Sequence, residues 1–268
     1  MANVMFAWGN KVPTTTQEGG IYLNKSAARM YIQTDSDLLQ FDGKILTSAT
    51  PSTTLANNTW DTISYYSQKG TASTYWSVGD TKDVTLSTGE VITLVILGFD
   101  HDEGAGITFG MKDCLNTTYP MNSTNTNVGG WTSSVMRTST MQTLYDLLPS
   151  ELKSVIVPVP KLTSAGNKST TIETTYDKLF LLSEVEVWGN TNYSVSGEGT
   201  QYAYFANNGV TGDYSDFVIK NVNGSAGNWW LRSPSSGLAT SFCAVSGGGR
   251  ASNGSASFSR GVSFGFGV

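Results

Sequence analysis

Residues 228–268 read NWWLRSPSSGLATSFCAVSGGGRASNGSASFSRGVSFGFGV, and the architecture of this chain is most directly inferred from them. Adjacent residues of a strand point to opposite faces, so at least one of Trp229 and Trp230 should belong to the core. Arg232 lies two positions after Trp230, on the same face, where it can stack on an aromatic ring or pair with a buried carboxylate. WWLRSP therefore predicts a strand that locks the core rather than one that contacts a ligand.

Residues 235–260 are dominated by Ser, Gly and Ala, with apolar residues such as Phe242, Val245 and Phe258 spaced between them. A flexible Gly/Ser tail is the alternative interpretation. A linker has no need of Phe and Val at strand spacing, however. The pattern therefore predicts a scaffold with regular apolar anchors and small, interchangeable side chains between them.

The sequence predicts three parts. Residues 1–48 contain short alternating apolar runs around a Ser-Asp turn, which predict one or two β-hairpins too small to bury a core of their own. Residues 49–57 are mostly polar and predict a linker. The main domain is expected at 58–268.

Within the main domain, residues 58–70 predict a helix that Asn58 or Thr59 caps and Gly70 ends. Residues 129–152 contain the best helical pattern in the chain, and Pro149 stops the predicted helix. Residues 198–208 predict a short helix. Strand-like segments are predicted at 82–100 (two strands joined by STGE), 107–115, 154–163 and 177–187. Helices and strands mixed in this way indicate an α+β fold.

Charge and composition exclude several classes of function. The net charge is −5, and no run of Lys and Arg offers a phosphate-binding surface, so we expect no nucleic-acid partner. No apolar run approaches the ~18 residues of a membrane span, so we expect no membrane insertion. Residues 1–19 lack the charged start and apolar core of a secretory signal. The 39% hydrophobic content is nevertheless high enough for a folded chain.

No group of residues predicts catalysis or a bound metal. The single histidine, His101, lies in FDHDEG (residues 99–104), which lacks the calcium-loop spacing and predicts a solvated acidic turn. With one histidine and no GxSxG string, a Ser-His-Asp triad cannot be assembled. Cys114 and Cys243 show no metal or redox spacing, so buried, reduced thiols are favoured over one disulfide. We therefore expect no enzyme, no cofactor and no metal site.

Further strings give the chain a resemblance to a domain-of-unknown-function family that is common in gut phage and prophage genomes. The strings span nearly all of residues 58–268 and are WSVGD at 76–80, LGFDHD at 97–102, GGWTSSVMR at 129–137, DKLFLLS at 177–183, EGTQY at 198–202, WWLRSP at 229–234 and GVSFGF at 261–266. The N-terminal segment resembles the short attachment modules of phage tail proteins.

WWLRSP and the terminal GVSFGF are also similar to the variable proteins of diversity-generating retroelements. The resemblance implies a C-type-lectin-like, formylglycine-generating-enzyme-like fold at 58–268 behind a small N-terminal β appendage. Such proteins display mutated positions near the C-terminus, and adenine mutagenesis of Asn codons does not reach Lys, Glu, Gln, Met or Trp. Residues 235–260 contain none of these five types. The formylglycine-generating activity needs a paired-cysteine copper site, which two distant cysteines do not indicate.

The resemblance implies a non-enzymatic phage tail or receptor-binding protein, an adhesin that recognises a host-surface protein or glycan. Small polar side chains and a few arginines on a rigid base supply adaptable hydrogen bonds, as paratopes do. The ligand-binding residues implied are Ser235, Ser236, Leu238, Ala239, Thr240, Ser241, Ala244, Ser246, Gly247, Gly248, Arg250, Ala251, Ser252, Asn253, Ser255, Ala256, Ser257, Ser259 and Arg260.

The expected partners are therefore a host-surface molecule and other virion tail subunits. We expect a homo-oligomer, for which a trimer is the usual state of tail fibres, assembled in the host cytoplasm and carried on the virion. Two alternatives stay open: a purely structural tail or decoration protein, and an enzyme acting on polysaccharide. The enzyme would need two carboxylates facing each other in a cleft.

Overall fold

The computed structural model describes residues 50–268 and, within residues 1–49, the backbone of four strands. The chain forms two compact units, Met1–Thr50 and Pro51–Val268. The first unit contains a four-stranded sheet of order β1-β2-β3-β4. Its strands are β1 (Phe6–Gly9), β2 (Ile21–Asn24), β3 (Arg29–Gln33) and β4 (Leu38–Phe41).

Strands β2, β3 and β4 pair antiparallel in sequence order, which confirms the hairpins predicted in the N-terminal segment. Strand β1 pairs parallel with β2. The attachment or oligomerisation role of residues 1–48 stays a prediction.

The second unit combines helices with several antiparallel sheets, and its fold class is α+β, as predicted. Its strands are β5 (Thr81–Thr85), β6 (Val91–Phe99), β7 (Ile107–Met111), β8 (Val159–Ser164), β9 (Ile172–Asp177), β10 (Phe180–Leu181), β11 (Lys220–Val222), β12 (Ser225–Gly227), β13 (Trp229–Pro234), β14 (Ser241–Val245), β15 (Ala251–Ser255) and β16 (Phe264–Gly267). Its α-helices are α1 (Trp60–Gln68), α2 (Gly130–Ser133), α3 (Met141–Leu147), α4 (Ser150–Lys153), α5 (Glu184–Trp188) and α6 (Ala203–Ala206).

The largest sheet of this unit has the order β10-β16-β7-β6-β5. The C-terminal strand β16 therefore lies between two strands from earlier in the chain. Phe266 is paired with Phe109 of β7, and the two buried rings stack with centroids 5.5 Å apart. This pairing fixes the C-terminal end of the Ser/Gly-rich tract to the core.

Helix α1 agrees with its prediction because its end signals are local. The Thr59 hydroxyl accepts the Thr62 amide at 3.2 Å, and Trp60 and Ile63 are buried. Gly70 adopts a positive φ of 65° just beyond the helix, a conformation that glycine tolerates.

The predicted linker at residues 49–57 lies largely in the second unit. Leu55 is 2% exposed and sits in a 3₁₀ turn, Leu55–Asn57, that packs near β5. The buried Asn58 side chain donates to the carbonyls of Ser52 and Thr54, both at 2.9 Å. Residues 51–57 are thus folded onto the domain.

The long helix predicted at 129–152 is wrong as a single helix. The structure divides it into α2, a π-helical segment at Met136–Thr140, α3 and α4. Ser134 is extended, with a ψ of 145°, and its hydroxyl donates to the Trp131 carbonyl at 2.9 Å and accepts the Arg137 amide at 3.2 Å. A serine that bonds its own backbone competes with the helical ladder, which explains the break.

The strand-like prediction at 177–187 is also wrong over its second half, where α5 forms. Ser183 and Glu186 make a capping box: the Ser183 hydroxyl accepts the Glu186 amide at 3.0 Å, and the Glu186 carboxylate accepts the Ser183 amide at 2.9 Å. Gly189, with a φ of 72°, ends the helix. The Ser-x-x-Glu spacing was the signal for this helix, and the alternating valines obscured it.

Candidate ligand-binding face

Strand β13 is a core-locking strand, as WWLRSP predicted. Trp229, Trp230 and Arg232 are each 0% exposed. The Arg232 guanidinium forms a two-point ion pair with the Glu186 carboxylate, with 2.8 Å between Nη2 and Oε1. It also donates to the Leu181 carbonyl at 2.9 Å. The buried-carboxylate alternative for Arg232 is therefore confirmed, and the pair attaches β13 to α5.

The ion pair extends into a buried charged cluster that the sequence did not reveal. Lys161 Nζ lies 2.6 Å from Asp102 Oδ1 and 3.3 Å from Glu186 Oε1, and it bonds the Tyr202 hydroxyl at 2.7 Å. Burial alone would raise the pKa of Glu186, but Arg232 and Lys161 lower it to about 2. The cluster joins strand β8 to helix α5 and to the start of α6.

The prediction of a solvated turn at residues 99–104 is wrong for one of its carboxylates. Asp102 is 8% exposed and accepts from both Lys161 and the Tyr202 hydroxyl, whereas Asp100 and Glu103 are exposed. The His101 ring lies against the Tyr202 ring, with centroids 4.0 Å apart, and burial lowers the pKa of His101. Among residues 50–268, no group of His, Cys, Asp or Glu is arranged to hold a metal ion.

Both cysteines are buried free thiols, as predicted. Burial raises the pKa of Cys114 to about 12 and raises the pKa of Cys243 well above its ordinary value. Each thiol is thus kept protonated inside the core, where it behaves as a small apolar group.

Glu198 is another fully buried carboxylate, and it forms no ion pair with any of residues 50–268. Its Oε1 accepts the Ser164 amide at 2.8 Å. Its Oε2 has no hydrogen-bond partner within the described part of the chain; the Ser233 hydroxyl is near enough to favour the charged form but makes no well-formed bond to that atom. Burial therefore dominates and raises the pKa of Glu198 from 4.5 to about 7.

The residues implied as ligand-binding belong to a small sheet of order β13-β14-β15 and to the turns around it. Strand β14 is central and buried along its whole length, whereas β15 is an edge strand with a mixed pattern of burial. Trp230, Ala244 and Ser252 are paired across the three strands and share one face, and Cys243 and Asn253 share the other. We call the accessible residues of the edge strand β15 and its flanking turns the C-terminal face, comprising residues 236–240, 246–248, 250, 252, 253, 255 and 257–260.

The structure sorts the implied ligand-binding residues into three groups. Exposed are Ser236, Leu238, Thr240, Gly248, Arg250 and Ser259. Partly exposed are Ala239, Ser246, Gly247, Ser252, Asn253, Ser255, Ser257 and Arg260. Buried are Ser235, Ser241, Ala244, Ala251 and Ala256. Buried side chains cannot touch a ligand directly, so the last group supports the C-terminal face from beneath.

The backbone of the tract is held mainly by residues outside it, of which Asn127 is the most connected. This fully buried side chain donates to the Leu238 carbonyl at 2.9 Å and to the Ser241 carbonyl at 2.7 Å. Its Oδ1 accepts the Asn167 amide at 2.8 Å, and its backbone amide donates to Ala239 at 2.8 Å. One amide side chain thus fixes the turn between β13 and β14.

Other bonds fix the remaining turns. The Tyr119 and Arg260 backbones exchange two hydrogen bonds, of 3.0 and 3.1 Å. The Asn125 carboxamide accepts from the Ser257 hydroxyl at 2.6 Å. The Tyr193 carbonyl accepts the Ser236 amide at 2.7 Å. The backbone of the tract is therefore ordered mainly by residues outside it, and most of its exposed side chains are small.

Two exposed tyrosines flank this surface and were missed in the sequence. Tyr193 is 40% exposed next to Ser236, and Tyr214 is 47% exposed beside β15. The Arg250 guanidinium stacks on the Tyr214 ring at 4.9 Å, and the backbones of these two residues pair as an isolated β-bridge. No local pattern could have found them, because they lie 36 or more positions before their neighbours on the face.

Taken together, these features define an α+β protein with a core-locked strand beneath a sheet edge of small polar side chains. The chain belongs to the family described as "Domain of unknown function (DUF6273)", whose model matches residues 105–265. That range includes β7, the charged cluster apart from Asp102, and the whole C-terminal face. Neither a search of the curated proteins nor a search of the solved structures returned a significant match. Within the described residues, no helix has the length and apolarity needed to cross a membrane.

Proposed function

We propose that this chain is a phage-type receptor-binding protein with a C-type-lectin-like fold, which recognises a host-surface protein or glycan through its C-terminal face. The observation that carries the proposal is the division of roles in residues 235–260. Their backbone is held by Asn127, Asn125, Tyr119 and Tyr193. Most of their exposed side chains are small and polar, and the larger exceptions are Leu238, Arg250 and Phe258. The exposed residues of such a surface can be substituted with little change in the free energy of folding.

The composition of the C-terminal face supports ligand recognition. Ser, Gly and Asn offer adaptable hydrogen bonds, and Tyr193, Tyr214 and the arginines add anchoring area, a combination typical of antibody paratopes. A permanent interface between virion subunits is typically large and apolar. The small side chains of this face therefore favour recognition over a purely structural role. Several copies per particle would supply affinity through avidity.

The experiment is a cell-binding assay with the full chain displayed as a tetramer on fluorescent streptavidin. Flow cytometry on a panel of intact gut bacterial strains would measure binding. Asn253 and Ser255 are partly exposed and share one side of β15, so the variant Asn253→Tyr with Ser255→Tyr should abolish or redirect binding. The matched control is Thr81→Tyr with Thr85→Tyr on the exposed edge strand β5.

The free energy of unfolding of both variants should lie within about 0.5 kcal/mol of that of the parent chain, as is usual for surface substitutions. Binding that Asn253→Tyr with Ser255→Tyr leaves unchanged would contradict the proposal, because the contact would then lie elsewhere. A chain that binds no strain but stays attached to purified virions would favour the structural role. In the native genome, a neighbouring reverse transcriptase and a near-copy of the codons for 229–268 that differs mainly at adenines would support diversification of this face.

A further inference from the structure

Lys161 and Asp102 form a buried pair whose functional groups are already in contact. Lys161 is 1% exposed and Asp102 is 8% exposed. Lys161 Nζ lies 2.6 Å from Asp102 Oδ1, so the carboxyl carbon Cγ, one C–O bond beyond that oxygen, is within about 4 Å of the nitrogen. An amine held this close to a carboxyl group has a large advantage over two free molecules, because folding has already removed the freedom that their encounter would cost.

The surroundings of Lys161 Nζ are largely aromatic and exclude water. The Phe180 ring centroid lies 3.7 Å from Nζ, and the Tyr202 ring centroid lies 5.4 Å from it. Burial disfavours a charged ammonium and a charged carboxylate, and transfer of one proton from Nζ to Asp102 Oδ1 removes both charges. The products are a neutral amine, which is a nucleophile, and a neutral carboxylic acid, which an amine can attack.

Two hydroxyl groups point at the other oxygen of the same carboxyl group. Asp102 Oδ2 accepts from the Tyr202 hydroxyl at 2.8 Å and from the Thr108 hydroxyl at 2.7 Å. Burial raises the pKa of Tyr202 well above its ordinary value, which keeps this donor protonated. Donors directed at the oxygen where negative charge develops stabilise the tetrahedral intermediate of acyl transfer. The Tyr202 oxygen also accepts from Lys161 Nζ at 2.7 Å, so this hydroxyl orients the amine as well.

Glu186 contacts the amine from another side. Its Oε1 lies 3.3 Å from Lys161 Nζ. Glu186 stays ionised because Arg232 and Lys161 outweigh the effect of burial on its pKa. A fixed negative charge beside the nitrogen stabilises the positive charge that an amine acquires when it attacks a carboxyl carbon.

We propose that Lys161 and Asp102 condense into an amide cross-link inside the folded chain. Nζ attacks Cγ and forms a C–N bond, while the double bond to Oδ2 opens and its electrons are held by the hydroxyls of Tyr202 and Thr108. The double bond then re-forms, the bond from Cγ to Oδ1 breaks, and Oδ1 leaves as water with the two protons that Nζ has lost. One amide and one water molecule replace the ammonium and the carboxylate, so the step balances without an oxidant or a co-reactant. Asp102 lines an open cleft of about 470 Å³, through which the water leaves.

The cross-link joins two segments that are distant in the chain. Lys161 lies on β8, and Asp102 follows β6, 59 residues earlier. The new bond closes a loop that contains β7 and helices α2, α3 and α4. A covalent loop of this size restricts the unfolded chain, as a disulfide does. The cross-link is independent of the C-terminal face and of the ligand bound there, so it goes beyond the proposed function.

The experiment is mass spectrometry of the denatured full chain. We expect the parent chain to be lighter, by one water molecule, than the mass calculated from its sequence, whereas Lys161→Arg should have its calculated mass. Trypsin does not cleave after an acylated lysine, so a digest should contain one branched peptide that joins residues 83–112 to residues 154–168. Fragmentation of this peptide should place the bond between Asp102 and Lys161.

The role of the hydroxyl groups is tested by the rate of cross-linking. Newly synthesised chain is sampled at intervals from a cell-free translation and denatured, and the fraction that has lost water is measured. Tyr202→Phe keeps the ring and removes one donor to Oδ2, so cross-linking should be slower by about tenfold or more. The matched control is Tyr204→Phe, whose ring packs against Phe205 and Phe217, and it should cross-link at the parent rate.

A parent chain of full calculated mass would overturn the proposal, because Lys161 and Asp102 would then be an ion pair only. A lost water that the digest places within a single unbranched peptide would also overturn it, as would a Lys161→Arg chain that still loses water. If Tyr202→Phe fails to fold, Thr108→Val replaces it, since this change removes the second donor to Oδ2 and keeps the shape of the side chain. An unchanged rate in the folded variant would refute the stabilisation of Oδ2.

Discussion

Replacing the buried Glu198 by glutamine should stabilise the protein, and the gain should grow as the pH rises. The pKa of Glu198 is raised from 4.5 to about 7 because the carboxylate is buried with one oxygen unpaired. A carboxyl with a raised folded-state pKa holds its proton more tightly in the folded chain. Its contribution to stability is fully present below pH 4.5 and is lost as the pH rises through about 7.

Glutamine imitates the protonated acid at all of these pH values. Its carbonyl can still accept the Ser164 amide, as Glu198 Oε1 does at 2.8 Å. A pKa difference between 4.5 and about 7 corresponds to roughly 3 kcal/mol of lost stability when the acid is fully ionised. Glu198→Gln should therefore unfold at nearly the same free energy as the parent chain below pH 5, and about 2 to 3 kcal/mol higher at pH 8.

Urea unfolding at pH 5, 6, 7 and 8, followed by tryptophan fluorescence, would measure this difference. Trp229 and Trp230 are fully buried and report on the same region. Glu103→Gln is the matched control, because Glu103 is exposed and its replacement should change the free energy of unfolding by less than about 0.5 kcal/mol. A constant difference between Glu198→Gln and the parent chain from pH 5 to 8 would refute the reasoning, as would a variant that is least stable at pH 8.

Two further substitutions test how the C-terminal face is supported. Asn127→Ala removes the donor to the Leu238 and Ser241 carbonyls and should cost about 2 to 3 kcal/mol in urea unfolding. It should also speed amide exchange at residues 239–241, and unchanged exchange there would contradict the role of Asn127. Arg232→Met leaves Glu186 without its two-point partner and should cost about 3 to 5 kcal/mol. The double variant Arg232→Met with Glu186→Leu should recover part of that lost stability. No recovery would indicate that packing rather than charge is responsible.

Local signals in the sequence predicted the elements whose causes are local. Thr59 caps the start of α1 and Gly70 terminates it. The alternation of apolar residues on both sides of the STGE turn gives β5 and β6. At residues 183–187 two local patterns conflict, and the helix-capping pattern determines the structure. The valines near 185 suggested a strand, while Ser183 and Glu186 capped a helix.

The charged cluster could not be found in this way, because its contacts join distant positions. Lys161 and Asp102 are 59 residues apart in the chain, and Tyr202 and Asp102 are 100 apart. A lysine, an aspartate and a tyrosine at such separations look like ordinary surface residues until the fold brings them together. The same holds for Asn127, whose partners lie 111 and 114 residues later.

The alternation of small residues along the tract was visible in the sequence, but its meaning at each position depends on the fold. Ala251 and Gly254 of β15 are buried, whereas Ser252, Asn253 and Ser255 are partly exposed. If residues 235–260 vary for recognition, variation should be confined to the exposed and partly exposed positions. Gly249 should stay glycine, since its φ is 72° and a Cβ would lie 2.4 Å from the Ser215 carbonyl oxygen.

Gly254 should also stay glycine, for a different reason. Its backbone has no positive φ, and the three atoms nearest to a Cβ there all belong to the Arg260 guanidinium, so Arg260 is the main obstacle to a side chain. The two restrictions have different causes. Selection from a library that varies the whole tract should therefore distinguish the restriction at Gly249 from the one at Gly254. Substitutions at Gly249 should be lost on selection for folding alone. Those at Gly254 should survive that selection when Arg260 is replaced by a smaller residue. A library in which both glycines tolerate every residue would show that the tract is not held as the structure describes.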